Sequence, residues 1–372
     1  MITKKFMSIR LSNLKELYNE ERSEILKSID TVLKSGNLIL SKENLLLEKN
    51  IAKLTNQKYC LTLNSGTDAL MMALWASGVK KDDEVITTPL SFIATVNSII
   101  HIGAKPVFVD VADDLNIDPY LIEKSITKKT KAILPVHWAG RICNMDIICK
   151  VAKKHNLIVI EDASLAIGAY YKNKHAGSFG NISAFSLHPY KNISGLGDGG
   201  FVVTNKKKLY QKIKIYRNHG LHGNNNVEFS GVNSRLDALH AKVVNFRLKK
   251  LKLTTNIKKK NVDLYKKFIT TKQVKLIKNE KYQKNANSVF IILCSRRDEL
   301  KKYLEKFNIE TGIYYKTPLH LYKATKYLGY KKKDFPNINK LSKKFLYLPI
   351  HKHLELKDIK YIANKIDRFY KS

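Results

Sequence analysis

The sequence predicts an α/β protein with a large domain, built on a mainly parallel seven-stranded sheet between helices, and a smaller C-terminal α/β domain. Three observations carry this. Through residues 59–204 short apolar runs alternate with longer helical stretches. The runs are apolar throughout instead of at every second residue, as strands covered on both faces are. A length of 372 residues is also too great for one simple core. The division falls near residue 250, giving domains 1–250 and 251–372.

Taken in order, residues 12–34 read as an amphipathic helix, with Ile25, Leu26, Ile29, Val32 and Leu33 at helical spacing and Ser35-Gly36 as its stop. Strands are expected at 59–63, 84–87, 106–111, 132–136 and 157–160, with helices at 67–77, 92–102, 119–127 and 145–154. Two more strands, 182–186 and 201–204, flank a glycine-rich turn. A long lysine-studded helical region from Arg235 to about residue 270 leads into the smaller unit. Strands near 289–293 and 310–315 and a closing helix over 356–370 complete it. No internal repeat or low-complexity linker interrupts the chain.

Composition limits the function classes. Hydrophobic residues make up 44% of the chain, ample for a buried sheet. No run approaches the length of a membrane span, and Met1-Ile2-Thr3-Lys4-Lys5-Phe6 leads into polar sequence instead of an apolar leader core. Cys60, Cys143, Cys149 and Cys294 include no CxxC pair and read as buried or free thiols in a reducing cytoplasm. Lys+Arg number 67 against 32 Asp+Glu, a formal charge of +35, which invites a nucleic-acid reading. Yet the excess is almost all lysine, scattered in runs such as 206–208 and 331–333, and arginine, the better base reader, is scarce. Isoleucine and asparagine are abundant too, the joint pattern of an AT-rich genome. General electrostatics does not build a specific site, so no specific nucleic-acid partner is expected, and attraction of anionic substrates is a side benefit.

Three segments carry chemistry. Asn64-Ser65-Gly66-Thr67-Asp68 ends a strand and opens a helix, where backbone N–H groups make an anion site, although Ser-Gly-Thr is also an ordinary helix cap. Ile158-Val159-Ile160-Glu161-Asp162 delivers two acids at a strand's carboxyl end, where open α/β sheets bind ligands. Either acid could pair with a cationic ligand or cap the next helix. Phe185-Ser186-Leu187-His188-Pro189-Tyr190-Lys191-Asn192 then runs into Gly195-Leu196-Gly197-Asp198-Gly199-Gly200. Most lysines in such a chain are solvated, but Lys191 follows an apolar strand end and precedes a flexible turn, where its amine can enter a pocket. Ser186 can offer a hydroxyl to the same anion as Gly66 and Thr67. The glycines match G-x-G-x-x-G literally, but a strand follows them where a dinucleotide site needs a helix, so that match is false.

Together these segments resemble the DegT–StrS family of sugar aminotransferases. The order runs Ser-Gly-Thr (65–67), Pro-Leu-Ser-Phe-Ile-Ala-Thr (89–95), Glu-Asp-Ala (161–163), then Phe-Ser-x-x-Pro-x-Lys-Asn with Gly-Asp-Gly-Gly. It continues through Arg217-Asn218-His219-Gly220, Asn233-Ser234-Arg235-Leu236-Asp237, Pro318-Leu319-His320 and Leu348-Pro349-Ile350, so the likeness covers nearly the whole chain. The resemblance implies pyridoxal 5'-phosphate (PLP) as cofactor and the type I fold of PLP enzymes. It implies that Lys191 is the covalent attachment point and proton shuttle, and that Asp162 holds the pyridinium proton. Phe92 would stack on the ring, competing with a reading as a core phenylalanine, while Gly66, Thr67 and Ser186 would bind the phosphate. Asn233 would reach that phosphate from a neighbouring subunit, making a homodimer with shared active sites.

The implied reaction moves an amino group from glutamate, or glutamine, to a keto-deoxy-sugar carried on a nucleoside diphosphate. Its product would enter a surface glycan or another amino-sugar conjugate. The Gly-x-Gly-Asp-Gly-Gly turn is similar to members that aminate carbon 3. One departure stands out: where the family usually has Gln or His near the cofactor's phenolic oxygen, this chain has Leu165, which neither donates nor accepts. Amination of a keto-cyclitol, or a non-catalytic PLP or sugar-nucleotide sensor, therefore stays open. The family's dehydratase branch has histidine in place of the lysine, and Lys191 argues against it.

Overall fold

The computed structural model describes residues 8–223 and 226–371. Two helices come first. Leu14–Ser35 (α1) is capped by Asn13, whose side chain accepts from the Glu16 N–H, and stops at Gly36 with φ 68°. Lys42–Thr55 (α2) opens on a reciprocal capping box between Ser41 and Asn44.

Seven strands follow: Tyr59–Leu63 (β1), Glu84–Thr87 (β2), Lys105–Phe108 (β3), Thr130–Ile133 (β4), Ile158–Asp162 (β5), Ile182–Ser186 (β6) and Gly200–Thr204 (β7). They form one sheet in the order β1-β7-β6-β5-β4-β2-β3. All neighbours are parallel except β7, which runs antiparallel to both β1 and β6. Gly66–Ala76 (α3) joins β1 to β2, Ile93–His101 (α4) joins β2 to β3, and Met145–Lys154 (α5) joins β4 to β5. Lys207–Tyr216 (α6) follows β7.

Continuous apolar strands are explained by the two cores. Alternate residues enter opposite clusters: Val159, Phe185 and Val203 pack on one face, and Ile160, Ala184 and Val202 on the other. Burying both faces needs helices on both, which the crossovers supply.

Ala238–Phe268 (α7) runs unbroken past residue 250 and links the sheet to the C-terminal part. There Val274–Leu276 (β8), Phe290–Cys294 (β9) and Phe345–Leu348 (β10) form an antiparallel sheet in that order. Arg297–Lys306 (α8), Pro336–Leu341 (α9) and Leu356–Phe369 (α10) complete the chain. Leu300, Leu304, Ile359 and Ile362 pack on Phe290, Ile292 and Leu346, and α7 contributes Val262 and Tyr265 to the same cluster.

The sequence reading differs from the structure at several places. Residues 119–127, expected as a helix, hold only the single turn Glu123–Ser125, because Asp118 Oδ1 accepts from the Tyr120 N–H at 3.0 Å and fixes a tight turn there. Residues 310–315, expected as a strand, are a loop with one isolated bridge from Gly312 to Tyr347, and Tyr315 at φ 63° cannot continue a strand. Four helices, α2, α6, α8 and α9, and the strands β8 and β10 went unforeseen. The α2 helix buries Glu43, Asn44 and Glu48 alongside Leu47 and Ile51, so it shows no clean apolar stripe. No described helix is long and apolar enough to cross a membrane.

The buried polar residues of α2 have a purpose. Glu48 Oε1 accepts from the Thr62 N–H at 2.9 Å, the Thr62 hydroxyl at 3.0 Å and Arg217 Nη1 at 2.7 Å. Arg217 also donates to the Thr62 carbonyl at 2.7 Å. This ring ties α2, β1 and the end of α6 together, with both charged side chains under a tenth exposed. Arg217→Met should therefore cost about 3–5 kcal/mol of unfolding stability by leaving a buried carboxylate uncompensated. The check is the shift in denaturant midpoint at constant slope; a change below about 1 kcal/mol would show that Thr62 alone satisfies Glu48.

Candidate active site

A cavity of about 520 Å³ lies where the carboxyl ends of β1, β5 and β6 meet, the ligand-binding edge of an open parallel sheet. It is lined by Gly66, Thr67, Phe92, Asp162, Leu165, Ser186 and Lys191. Six of the seven residues named from the sequence thus face one space, with Leu165 beside them.

The first wall is the start of α3. Ser65 caps the helix by accepting from the Asp68 N–H at 3.0 Å, leaving the first N–H groups, on Gly66 and Thr67, without intrahelical partners. Two glycines let this end sit against the strands. A Cβ on Gly66 would stand 2.8 Å from Ser186 Cβ, and one on Gly200 would stand 2.3 Å from the Ser65 carbonyl oxygen. Ser186 Oγ accepts from the His188 N–H at 3.2 Å, so its own proton is free to donate. Backbone N–H groups, a hydroxyl and the positive end of α3 make a cradle for a dianionic phosphate.

The second wall is the end of β5, where strand alternation separates the two acids. Glu161 is fully buried on the far face. It accepts from the N–H groups of Gly177, Phe179 and Gly180 at 2.7–2.9 Å, from Ser183 Oγ at 2.9 Å, and pairs with His137 Nε2 at 2.9 Å. Burial pushes its carboxyl up, but His137 and these N–H groups outweigh that and hold it below the usual range. Asp162 faces the cavity at 4% exposure. Its carboxylate accepts from Thr95 Oγ1 at 2.7 Å, Ser164 Oγ at 2.6 Å and the Ser164 N–H at 3.2 Å. Three donors leave acceptor capacity for one more, such as a ring N–H.

Lys191 rises from the loop after β6. That loop folds back on itself through Lys191 N–H to His188 O at 2.8 Å, Gly195 N–H to Leu187 O at 2.6 Å and Leu187 N–H to Gly199 O at 2.8 Å. Desolvation pushes the Lys191 ammonium below its ordinary pKa, and the Asp162 charge opposes the shift. A lowered amine pKa is what a nucleophilic and proton-shuttling lysine needs.

Phe92 is 55% exposed, so it is no core residue. Its ring lies 5.7 Å from that of Tyr315, which in turn lies 5.3 Å from Trp138. The loop expected as a strand at 310–315 thus supplies Tyr314 and Tyr315 to the cavity. Leu165 is half-buried and presents an apolar side chain to the space, while its carbonyl accepts from Ser288 Oγ. Asn233 lies outside its own chain's cavity, exposed, bridged to Asn218.

Sequence reasoning missed Thr95, Ser164 and Tyr315. Two had a usable signal: Thr95 falls one helical turn after Phe92, and Ser164 two residues after Asp162, the spacing of a local Asx turn. Tyr315 had none, because its place depends on how the C-terminal sheet packs.

A profile of the DegT/DnrJ/EryC1/StrS aminotransferase family matches residues 19–367. The chain belongs to this family. It is 37% identical over 98% of its length to the pleiotropic regulatory protein of Geobacillus stearothermophilus, covering 99% of that protein. It is 33% identical to the dTDP-3-amino-3,6-dideoxy-alpha-D-galactopyranose transaminase of Aneurinibacillus thermoaerophilus, covering 96% of this chain and 98% of that one. Among solved structures, S. venezuelae DesV in complex with a ketimine intermediate superposes with a TM-score of 0.95 at 32% identity, covering 98% and 99% of the two chains. The chain is a PLP-dependent transaminase of the type I fold, with pyridoxal phosphate as its cofactor.

The residues present fit that group: a phosphate cradle that a Cβ would fill, an acid with one acceptor site to spare, and a desolvated amine share one cavity. Gly66→Ala should weaken PLP binding on the order of tenfold, the loss of about one charge-assisted hydrogen bond. Spectrophotometric titration of apoprotein reads it, with melting temperature as the control. Unchanged affinity would place the phosphate elsewhere.

Proposed function

We propose that this transaminase takes its amino group from glutamate and delivers it to carbon 3 of a keto-deoxy-sugar carried on a nucleoside diphosphate. The observation that carries the catalytic part is the convergence of Lys191, Asp162 and the Gly66–Ser186 cradle on one cavity. The sugar part is supported by the relative whose name specifies a 3-amino sugar nucleotide and by the Gly195–Gly200 turn. The cavity is far larger than a cofactor ring needs, leaving space for a bulky acceptor.

In this reading Gly66 and Thr67 N–H groups and Ser186 Oγ would hold the phosphate, and Phe92 would stack on the ring. Asp162 would hold the ring-nitrogen proton. Lys191 would hold the cofactor through its amine and would move a proton to and from the substrate carbon. The bound cofactor supplies an electron-withdrawing ring that stabilises negative charge at that carbon. Thr95 and Ser164 keep the Asp162 carboxylate aimed into the cavity. Trp138 and Tyr315 close the apolar side against water.

The active form is a homodimer in which Asn233 completes the partner's phosphate site. What supports this is its exposure, outside its own cavity, on a segment pinned by Ser234 Oγ to Asp68 Oδ2 at 2.7 Å in the first turn of α3.

Two expectations follow. Mixing the PLP-loaded enzyme with glutamate should discharge the visible absorbance of the bound cofactor, and a nucleoside-diphosphate keto-sugar should restore it. Lys191→Ala should abolish both changes while keeping the wild-type circular dichroism; a Lys191→Ala protein that still forms a borohydride-reducible adduct would remove the assignment. For the dimer, Lys191→Ala and Asn233→Ala subunits mixed in equal amounts should regain activity, because each heterodimer holds one site with both residues intact. Mixtures as inactive as their parents would confine Asn233 to its own subunit.

A further inference from the structure

The α7 side of the cavity is basic, and its charges do not balance. Arg247, Lys250, Lys258 and Lys352 all line it. Two carboxylates answer three of them. Arg247 Nε meets Glu21 at 2.8 Å, Lys352 Nζ meets Glu20 at 2.6 Å, and Lys250 lies 3.9 Å from Glu20 and 3.8 Å from Glu21. Lys258 is the exception. Its Nζ donates to Asn192 Oδ1 at 2.8 Å, and among the described residues no carboxylate pairs with it. Burial alone brings its ammonium down to about 8. A desolvated cation left with one neutral acceptor is a cost to the fold unless a ligand brings the counter-charge.

Its surroundings point the same way. Asn192, the residue after Lys191, is fixed by donating to the Ala286 carbonyl at 2.8 Å, so it holds Lys258 next to the reacting lysine's backbone. His351 lines the same wall. Its Nε2 is engaged with the Arg10 carbonyl at 3.1 Å, while its Nδ1 is buried with no partner among the described residues. The Lys258 charge reaches His351 and helps hold its imidazole neutral, behind burial as the larger cause. An oxyanion between the two would answer the Lys258 charge and give His351 Nδ1–H an acceptor once that ring is protonated.

We propose that Lys258 is the anchor for an oxyanion of the substrates, held on the α7 wall of the cavity apart from the Gly66–Ser186 cradle. This rests on the transaminase reading above for the identity of its ligands. The oxyanion belongs either to the diphosphate of the sugar nucleotide or to a carboxylate of the amino donor. Both pass through the same cavity in turn, so one unpaired cation can serve either or both.

The test uses PLP-loaded enzyme, whose phosphate cradle is already filled, and two charge probes without reactive groups: inorganic pyrophosphate for the diphosphate and glutarate for the donor. Calorimetric titration should show that Lys258→Met weakens one probe or both by about tenfold or more, as losing a charge-assisted contact does. Lys258→Arg should retain affinity within about threefold by keeping the charge. Loss for pyrophosphate alone assigns the diphosphate; loss for glutarate alone assigns the donor carboxylate. The proposal is overturned if both affinities survive Lys258→Met. It is overturned equally if Lys259→Met, an exposed neighbour on the same helix, costs as much, since general electrostatics would then explain the binding. Should Lys258→Met not fold, Lys258→Gln keeps a donor for Asn192 and gives the same comparison. None of these readouts needs turnover, so an enzyme that binds the probes but ignores glutamate would refute the proposed reaction while leaving the anion site standing.

Discussion

Everything in the cavity takes its bearings from the alternation of side chains at the end of β5. Glu161 points away from the cavity into a nest of three backbone N–H groups, a serine hydroxyl and His137. With that carboxylate immobilised, its neighbour has one direction left, and Asp162 enters the cavity at the depth where Thr95 and Ser164 receive it. A slip of one residue would exchange the two acids. The buried anchor, which has no part in the chemistry, therefore fixes the register on which the chemistry depends.

The same logic explains what could be read beforehand. The bounds of β1, β2 and α5 are where short apolar runs and helical periodicity put them, because those elements pack on the central sheet and carry its pattern. The acids were visible as a pair, yet composition cannot say which faces a ligand; only the strand register does. Gly66, Ser186 and Lys191 were legible through local turn chemistry. Phe92 needed the structure to separate a wall from a core. Tyr314 and Tyr315 come from a loop that closes over the cavity from the C-terminal part, a long-range placement with no local signature. The α2 helix was hidden because its buried face is partly ionic, and hydrophobic periodicity reads only the apolar part of a buried face.

Charge deserves two separate accounts. On the surface the lysine excess is diffuse, and carboxylates are answered by lysines at helix spacing, as at Lys259–Asp263 and Lys301–Glu305. Inside, two cations are paired directly with carboxylates, Arg217 with Glu48 and Arg247 with Glu21, whereas Lys258 meets only the amide oxygen of Asn192. A formal charge of +35 thus describes the coat of the molecule and says little about its working parts.

The donors on Asp162 belong to the protein itself. Thr95 and Ser164 grip the acid from two directions, and the glycines at 66 and 200 let the start of α3 approach β6 and β7 closely. The contacts that would receive the cofactor are thus already made within the protein, which lowers the ordering cost of capture. Since none of these contacts comes from a substrate, the grip on the cofactor would stay the same through both halves of the exchange.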